Sequence, residues 1–197
     1  VAWGFYRLLF KLPETVEELI LKPVVWLVPL WWVLKKEKKG LESLGWTTKN
    51  LFKAIYLAIG LGVLFALEGA LINSIKYGGS FNFLHLDLNP VFFVGALGLS
   101  LITAISEETV FRGFIFNRLW QVIGEWKANI VTSISWSLVH LPVTIFVLEY
   151  DAVQVLSFLL LTFLFGAASA FVFARTGNVF ASVLLHVFWE WPIILFR

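Results

Sequence analysis

The chain of 197 residues contains no cysteine and only two aspartates. Without cysteine it forms neither disulfides nor thiolate metal sites, and a thiol nucleophile is excluded. Asp87 and Asp151 both fall in predicted loops, so a pair of catalytic aspartates inside a membrane helix is excluded as well. None of the three histidines is followed by glutamate, which rules out a zinc site of the His-Glu-x-x-His type. No serine lies in a Gly-x-Ser-Gly context.

Charge is also scarce. Only 14% of the residues are charged, 59% are hydrophobic, and the mean hydropathy is +0.86. These values are typical of a membrane protein and exclude an ordinary soluble domain. Apolar segments that approach the length of about 20 residues needed to cross a bilayer predict membrane-spanning helices. The predicted spans are 91–106, 128–148 and 152–174, with weaker ones at 51–72, 176–196 and 23–34.

The sequence therefore predicts an all-α, polytopic membrane protein with about six to seven transmembrane helices. The seventh would be the N-terminal piece 3–12, which is better interpreted as an interfacial amphipathic helix because it is short and carries basic residues among aromatics. With no repeat, low-complexity tract or linker visible, residues 1–197 are predicted to form a single membrane domain. Its motif-bearing core covers about 91–196.

The distribution of basic residues predicts the orientation. Six lysines lie between or beside the first two predicted spans: Lys35, Lys36, Lys38, Lys39, Lys49 and Lys53. Because loops rich in lysine and arginine stay in the cytoplasm, this loop is predicted to be cytoplasmic. The net charge of +2 thus reflects the orientation of the chain in the membrane. No basic patch indicates that the protein binds nucleic acid. Short loops and the small size favour a prokaryotic plasma membrane.

The first polar motif comprises Glu107, Glu108 and Arg112, expected at the cytoplasmic end of a helix over 91–113. On a helix Glu108 and Arg112 share a face, so that Arg112 can neutralise Glu108, while Glu107 points about 100° away. Charged groups inside a membrane segment are costly and usually functional. Glu107 is therefore the candidate proton acceptor. The alternative is a purely structural ion pair at the membrane boundary.

The second motif consists of Trp136 and His140 within the predicted span 128–148. Pro142 follows closely, and its missing N–H and its ring predict a bend beside the histidine. Irregular backbone of this kind is tolerated in a membrane where it lines a cavity. His140 is thus either a packing residue or, since imidazole transfers protons near neutral pH, a catalytic one.

The third motif begins with Arg175, Gly177 and Asn178, which predict a cytoplasmic turn, and continues with His186 and Glu190. His186 lies about two turns inside the following helix, and Glu190 shares its face. Because proline has no N–H, Pro192 should leave the carbonyl four residues before it without its helical hydrogen bond, beside this polar pair.

These three motifs, in this order on successive apolar segments, resemble the CAAX proteases and bacteriocin-processing enzymes, called the CPBP or Abi family. The matching elements are Glu-Glu-x-x-x-Arg at 107–112, aromatic-x-x-x-His at 136–140, and Arg-x-Gly-Asn at 175–178 followed by His186. The resemblance covers roughly 23–196. It implies a helical intramembrane endopeptidase, often labelled a metalloendopeptidase, whose site opens to the cytoplasm.

The resemblance also implies roles for individual residues. Glu107 and His140 would activate a water molecule, Glu108 and Arg112 would support them, and His186 would stabilise the oxyanion. The expected substrate is a membrane-associated protein or peptide of the CAAX type or of the bacteriocin or leader-peptide type. No cofactor is expected.

Two positions depart from the family pattern. Trp136 replaces the usual phenylalanine, and Glu190 replaces the usual asparagine or aspartate. An ionised glutamate only accepts hydrogen bonds and would oppose a developing oxyanion. Glu190 completes the candidate catalytic set, and it also raises the alternative of a divalent metal such as zinc held by Glu107, His140, His186 and Glu190.

Two other functions remain open. The same buried polar residues could form a proton relay in a small proton-coupled transporter, although transporters commonly show an internal symmetry that is not visible here. The chain could also be a catalytically silent binding or bacteriocin-immunity protein on the peptidase scaffold, which the change at Glu190 favours.

Overall fold

The computed structural model describes residues 12–13, 16–76 and 89–195, and this part of the chain contains helices and turns but no strand. A π-helical turn at Glu17–Leu21 leads into α1 (Lys22–Glu37), and a 3-10 turn at Leu41–Leu44 precedes α2 (Leu51–Lys76). The remaining helices are α3 (Pro90–Glu108), α4 (Asn117–Ile123), α5 (Glu125–Val139), α6 (Leu141–Phe146), α7 (Ala152–Thr176) and α8 (Val179–Leu195). The predicted all-α class is confirmed.

Four helical segments are long and apolar enough to cross a membrane: Leu51–Leu71, Pro90–Ile123, Glu125–Phe146 and Ala152–Thr176. Val179–Ile194 is a shorter apolar helix. The protein is thus a polytopic membrane protein as predicted, and four or five of the six to seven predicted spans are found among the described residues. The segment expected at 23–34 forms α1, which has only 16 residues and carries charges at both ends. The N-terminal piece 3–12 lies outside the described residues, apart from Leu12.

The helix that carries the glutamate pair is longer than predicted. Asn89 caps its start by accepting a hydrogen bond from the Val91 N–H at 2.9 Å. After α3 the chain continues through a π-helical stretch, Thr109–Phe116, and α4 up to Gly124, where φ is +83°. The prediction of an end at residue 113 was wrong because a membrane helix can continue past its apolar part. Glu107 and Glu108 therefore lie in the middle of a helical segment of 34 residues.

The backbone breaks beside His140, as Pro142 predicted. α5 ends at Val139, and α6 starts at Leu141. The His140 N–H donates to the Ser137 carbonyl at 3.0 Å, which tightens the last turn. This interruption places His140 between the end of α5 and the start of α6.

Small residues bring α7 close to the motif-bearing helices. A Cβ atom added to Gly166 would lie 3.2 Å from both an Arg112 side-chain nitrogen and the Ser133 Cβ atom. The Asn129 amide donates to the Ala167 carbonyl at 3.0 Å, which fixes α5 against α7. The glycine therefore permits the close approach of helices that positions Arg112.

Helix α8 contacts α2, α3 and α7 and forms the centre of the bundle. Its inward residues Ala181, Leu185 and Trp189 join the main apolar cluster together with Trp136 and Phe165. The outward faces of the long helices remain apolar, and on α2 Phe52 and Leu67 are 87% and 66% exposed. Such faces match a hydrocarbon surround, whereas the polar motif residues point inward.

Candidate active site

Glu108 is the centre of a fully buried network. Its Oε1 atom accepts hydrogen bonds from the Arg112 guanidinium at 3.0 Å and from the His186 Nδ1 atom at 2.7 Å. Its Oε2 atom accepts one from the Ser169 hydroxyl at 2.7 Å. Glu108 and Arg112 are both 0% exposed. The predicted pairing of Glu108 with Arg112 is confirmed, and three different helical segments meet at this carboxylate.

Arg112 has further partners within the same interior. Its second terminal nitrogen donates to the Gly166 carbonyl at 3.1 Å. Its guanidinium carbon lies 4.9 Å from the ring centroid of Trp136, in a cation–π contact. Arg112, for which the family resemblance implies a supporting role, thus lies between α7 and the indole of Trp136.

Glu107 points to a different set of partners, as the helical geometry predicted. Its Oε1 atom lies 3.0 Å from the Lys22 Nζ atom, and its Oε2 atom accepts a hydrogen bond from the Trp136 indole N–H at 2.8 Å. The residue is 7% exposed. It also interacts electrostatically with His140 and His186. One oxygen atom is therefore held by a cation and the other by a neutral donor.

Trp136 connects the three motifs. Its ring centroid lies 4.7 Å from that of His140 and 5.7 Å from that of His186, and both pairs are edge-to-face. The same indole donates to Glu107. Glu107, His140 and His186 thus surround one buried ring, although they come from three separate segments. The departure from phenylalanine supplies an N–H donor that phenylalanine lacks.

The hydrogen bonds define which ring nitrogen of each histidine carries a proton. The Nδ1 atom of His140 lies 2.9 Å from the Trp136 carbonyl, and that of His186 lies 2.7 Å from the Glu108 carboxylate. Carbonyl and carboxylate oxygens only accept, so each Nδ1 atom is the donor. In a neutral ring the Nε2 atom then keeps its lone pair. His140, which is half-buried, can accept a proton at Nε2 from a bound water.

Glu190 is placed near this site but has no hydrogen bond at one of its oxygens. Its Oε2 atom is buried and without a hydrogen-bond partner among the residues that the structure describes. Electrostatic interactions connect the carboxyl group with His186, Lys22 and Glu107. The side chain therefore belongs to the neighbourhood of the site, on the face that the spacing from His186 predicted.

Two of the candidate metal ligands are engaged by protein partners. Within residues 16–76 and 89–195, no three histidine, aspartate or glutamate side chains are arranged to hold a metal ion. His186 is engaged by Glu108, and Glu107 is engaged by Lys22 and Trp136. The divalent metal stays an alternative prediction, which measurements with a chelator and of bound metal can test.

Two residues of the site were missed by sequence analysis. Neither Lys22 nor Ser169 belongs to the three motifs that the sequence analysis identified. Both bind a motif glutamate directly. For Lys22 a signal was present, because Glu18 precedes it by four residues at the edge of an apolar segment, which indicates a paired charge. No pattern distinguished Ser169 from other small residues of α7.

The Arg-x-Gly-Asn motif has a structural role. Gly177 ends α7 with φ of +62°, a conformation that favours glycine. The buried Asn178 amide donates to the carbonyls of Thr47 and Lys49 at 2.8 and 3.0 Å. Arg175 forms an exposed ion pair with Glu125 at 2.8 Å. The motif therefore fixes the start of α8, and with it the position of His186.

Fold and site together define a polytopic helical membrane protein with a buried carboxylate–histidine site. The model of the Type II CAAX prenyl endopeptidase Rce1-like family matches residues 89–192, which include every motif described above. The chain belongs to this family.

One curated relative extends the comparison. Over 88 residues, or 45% of the chain, the sequence is 38% identical to CAAX prenyl protease 2 of Methanococcus maripaludis. The matched stretch covers 29% of that protein, so the chain is similar to less than a third of its length. No solved structure matches the chain.

Proposed function

We propose that the protein is an intramembrane endopeptidase that hydrolyses a peptide bond of a membrane-associated substrate. The observation that carries this proposal is that Glu107 and His140 both contact the buried Trp136: Glu107 accepts from its indole N–H at 2.8 Å, and the ring of His140 lies edge-to-face at 4.7 Å. A carboxylate and an imidazole with a free Nε2 atom are both acceptors, and a water molecule has two hydrogens to donate. The membership in the CAAX prenyl endopeptidase family supports the same reaction.

In the proposed reaction one water hydrogen is directed to Glu107 and the other to the Nε2 atom of His140. As the water oxygen forms a bond to the carbonyl carbon of the substrate, one of these two bases takes the proton. The carbonyl π bond opens into an oxyanion. The C–N bond then breaks, and the same proton is returned to the leaving nitrogen.

The negative charge of the oxyanion needs a donor, for which His186 is the candidate. Because its Nδ1 proton is directed to Glu108, only the doubly protonated ring can donate from Nε2. Glu108 stabilises such an imidazolium, as a buried carboxylate does for the histidine of a catalytic triad. Arg112 and Ser169 hold Glu108 in place, so they act through it.

The name of the curated relative and the membrane setting support a substrate class. The name of the archaeal relative indicates a CAAX protein, and we propose either this type or a bacteriocin or leader-peptide substrate for this chain. The lysines after α1 support a site that faces the cytoplasm, with the chain in a prokaryotic plasma membrane.

The test uses purified protein in detergent with a prenylated CAAX peptide and with an unprenylated leader peptide. We expect Glu107→Gln and His140→Ala each to reduce cleavage by about 10²–10⁴-fold, since each removes a base. An exposed substitution, Lys127→Ala, serves as the control. Full cleavage by folded Glu107→Gln would refute the mechanism. No cleavage of either peptide by wild type, together with tight binding, would favour the silent binding protein, and proton flux in liposomes would favour the transporter.

A further inference from the structure

Lys22 is the only cation in direct contact with the proposed catalytic glutamate among the described residues. It is 6% exposed and belongs to the first turn of α1. This helix lies outside residues 89–192, which the family model matches. The contact therefore joins a part of the chain that the family match does not describe to the centre of the site.

Lys22 belongs to a series of polar contacts whose first and last residues both lie on α3. The Thr103 hydroxyl donates to Glu18 at 3.2 Å, and Glu18 forms an ion pair with Lys22. Lys22 in turn contacts Glu107 at 3.0 Å. Glu18 and Lys22 are four residues apart, and both point toward α3. The π-helical turn at 17–21 and the start of α1 are thus attached to the helix that carries Glu107.

The two held oxygens of Glu107 leave the carboxylate little freedom. Lys22 contacts Oε1, and the Trp136 indole donates to Oε2. A carboxylate has about four lone-pair positions, so each oxygen can still accept a hydrogen from a water. Two fixed contacts therefore define the direction of the remaining lone pairs.

We propose that Lys22 is a positioning residue for the reaction, which orients and charge-balances Glu107 so that its free lone pair faces the water. This inference rests on the proposed function. A buried ammonium is costly unless it is paired, and here the two carboxylates supply the pairing. A simple helix clamp would need only one of these carboxylates, whereas Lys22 also contacts Glu107, one of the two proposed bases.

The experiment compares three substitutions of Lys22 with a matched control on the same helix. Lys22→Met keeps the apolar stem but removes the charge, Lys22→Gln keeps a donor, and Lys22→Arg keeps the charge. The control is Lys35→Met, because Lys35 is exposed and contacts only the neighbouring Trp31 ring among the described contacts. For each variant kcat and KM are measured with the cleaved peptide, and thermal unfolding is followed in detergent.

We expect Lys22→Met to lower kcat by about tenfold or more with KM within about twofold, because misorientation of a base affects the chemical step. Lys22→Gln should lower kcat less, Lys22→Arg should recover most of it, and Lys35→Met should match wild type. A merely structural lysine would not separate kcat from KM, and arginine would not rescue it. If the methionine variant does not fold, the glutamine variant decides by the same criteria.

A wild-type kcat in either folded, uncharged variant overturns the inference. Equal inactivity of folded Lys22→Met and Lys22→Arg also overturns it, since restored charge would then have no effect. Failure of the proposed function is detected separately, because it would appear as full cleavage by folded Glu107→Gln. If Glu107→Gln is inactive while Lys22→Met is fully active, the peptidase mechanism stands and only the role of Lys22 is wrong.

Discussion

Arg112→Ala tests how strongly the buried network supports the site. The change removes the contact with Glu108 at 3.0 Å and the hydrogen bond to the Gly166 carbonyl at 3.1 Å, both in an interior where Arg112 is 0% exposed. Loss of one partner of a buried ion pair costs about 3–5 kcal/mol, because the other charge stays buried. For a protein of this size each kcal/mol shifts Tm by about 2–4 °C, so Tm should fall by roughly 6–20 °C.

The assay is thermal unfolding of the purified protein in detergent, with peptidase activity measured well below the lowered Tm. Arg118→Ala is the matched control, since Arg118 also forms an ion pair, with Glu37, but the two side chains are 34% and 31% exposed. Such an exposed pair contributes about 0–1 kcal/mol. Arg112→Ala should also reduce activity, because Glu108 loses one of the donors that hold it against His186. Equal Tm values for the two variants, with full activity in Arg112→Ala, would refute the reasoning.

Two further predictions concern the positions where the chain departs from its family. Trp136→Phe keeps an aromatic ring but removes the donor to Glu107, a bond to a charged group worth about 1.5–3 kcal/mol, so kcat should fall by roughly tenfold or more while the protein stays folded. A wild-type kcat in this variant would show that the indole N–H is dispensable. Glu190→Gln should preserve or raise activity, because an amide can donate to the oxyanion, and wild-type activity should resist chelators. Loss of activity with a chelator and its rescue by zinc, with less bound metal in Glu190→Gln, would instead establish a metal site.

Contacts within one helix could be predicted because their geometry is local. The pairing of Glu108 with Arg112 follows from a spacing of four residues, and it persists although the helix changes to a π-helical form at Thr109. The break beside His140 follows equally from Pro142, since a missing N–H and a steric clash act within one turn. Both features depend on neighbours in the chain alone.

The limits of helices were harder to predict because apolar length is only a partial signal. Arg118 lies beyond the predicted helix end at residue 113, yet the helix continues to Ile123, and Arg118 contacts Glu37 on α1. The helix that holds the motif glutamates therefore extends further than its apolar part. Composition indicates where a helix can lie in a bilayer, whereas hydrogen bonding decides where it ends.

The sequence by itself determined the all-α membrane class, the three motifs and the family, because apolar runs and short spacings are properties of the chain before it folds. Only the tertiary structure decided the partners of each glutamate. Glu108 accepts hydrogen bonds from His186 and Ser169, which lie on helices distant in sequence. Glu107 forms an ion pair with Lys22 of α1. Such pairs form because a buried charge must find a partner wherever packing brings one, and packing depends on the whole chain.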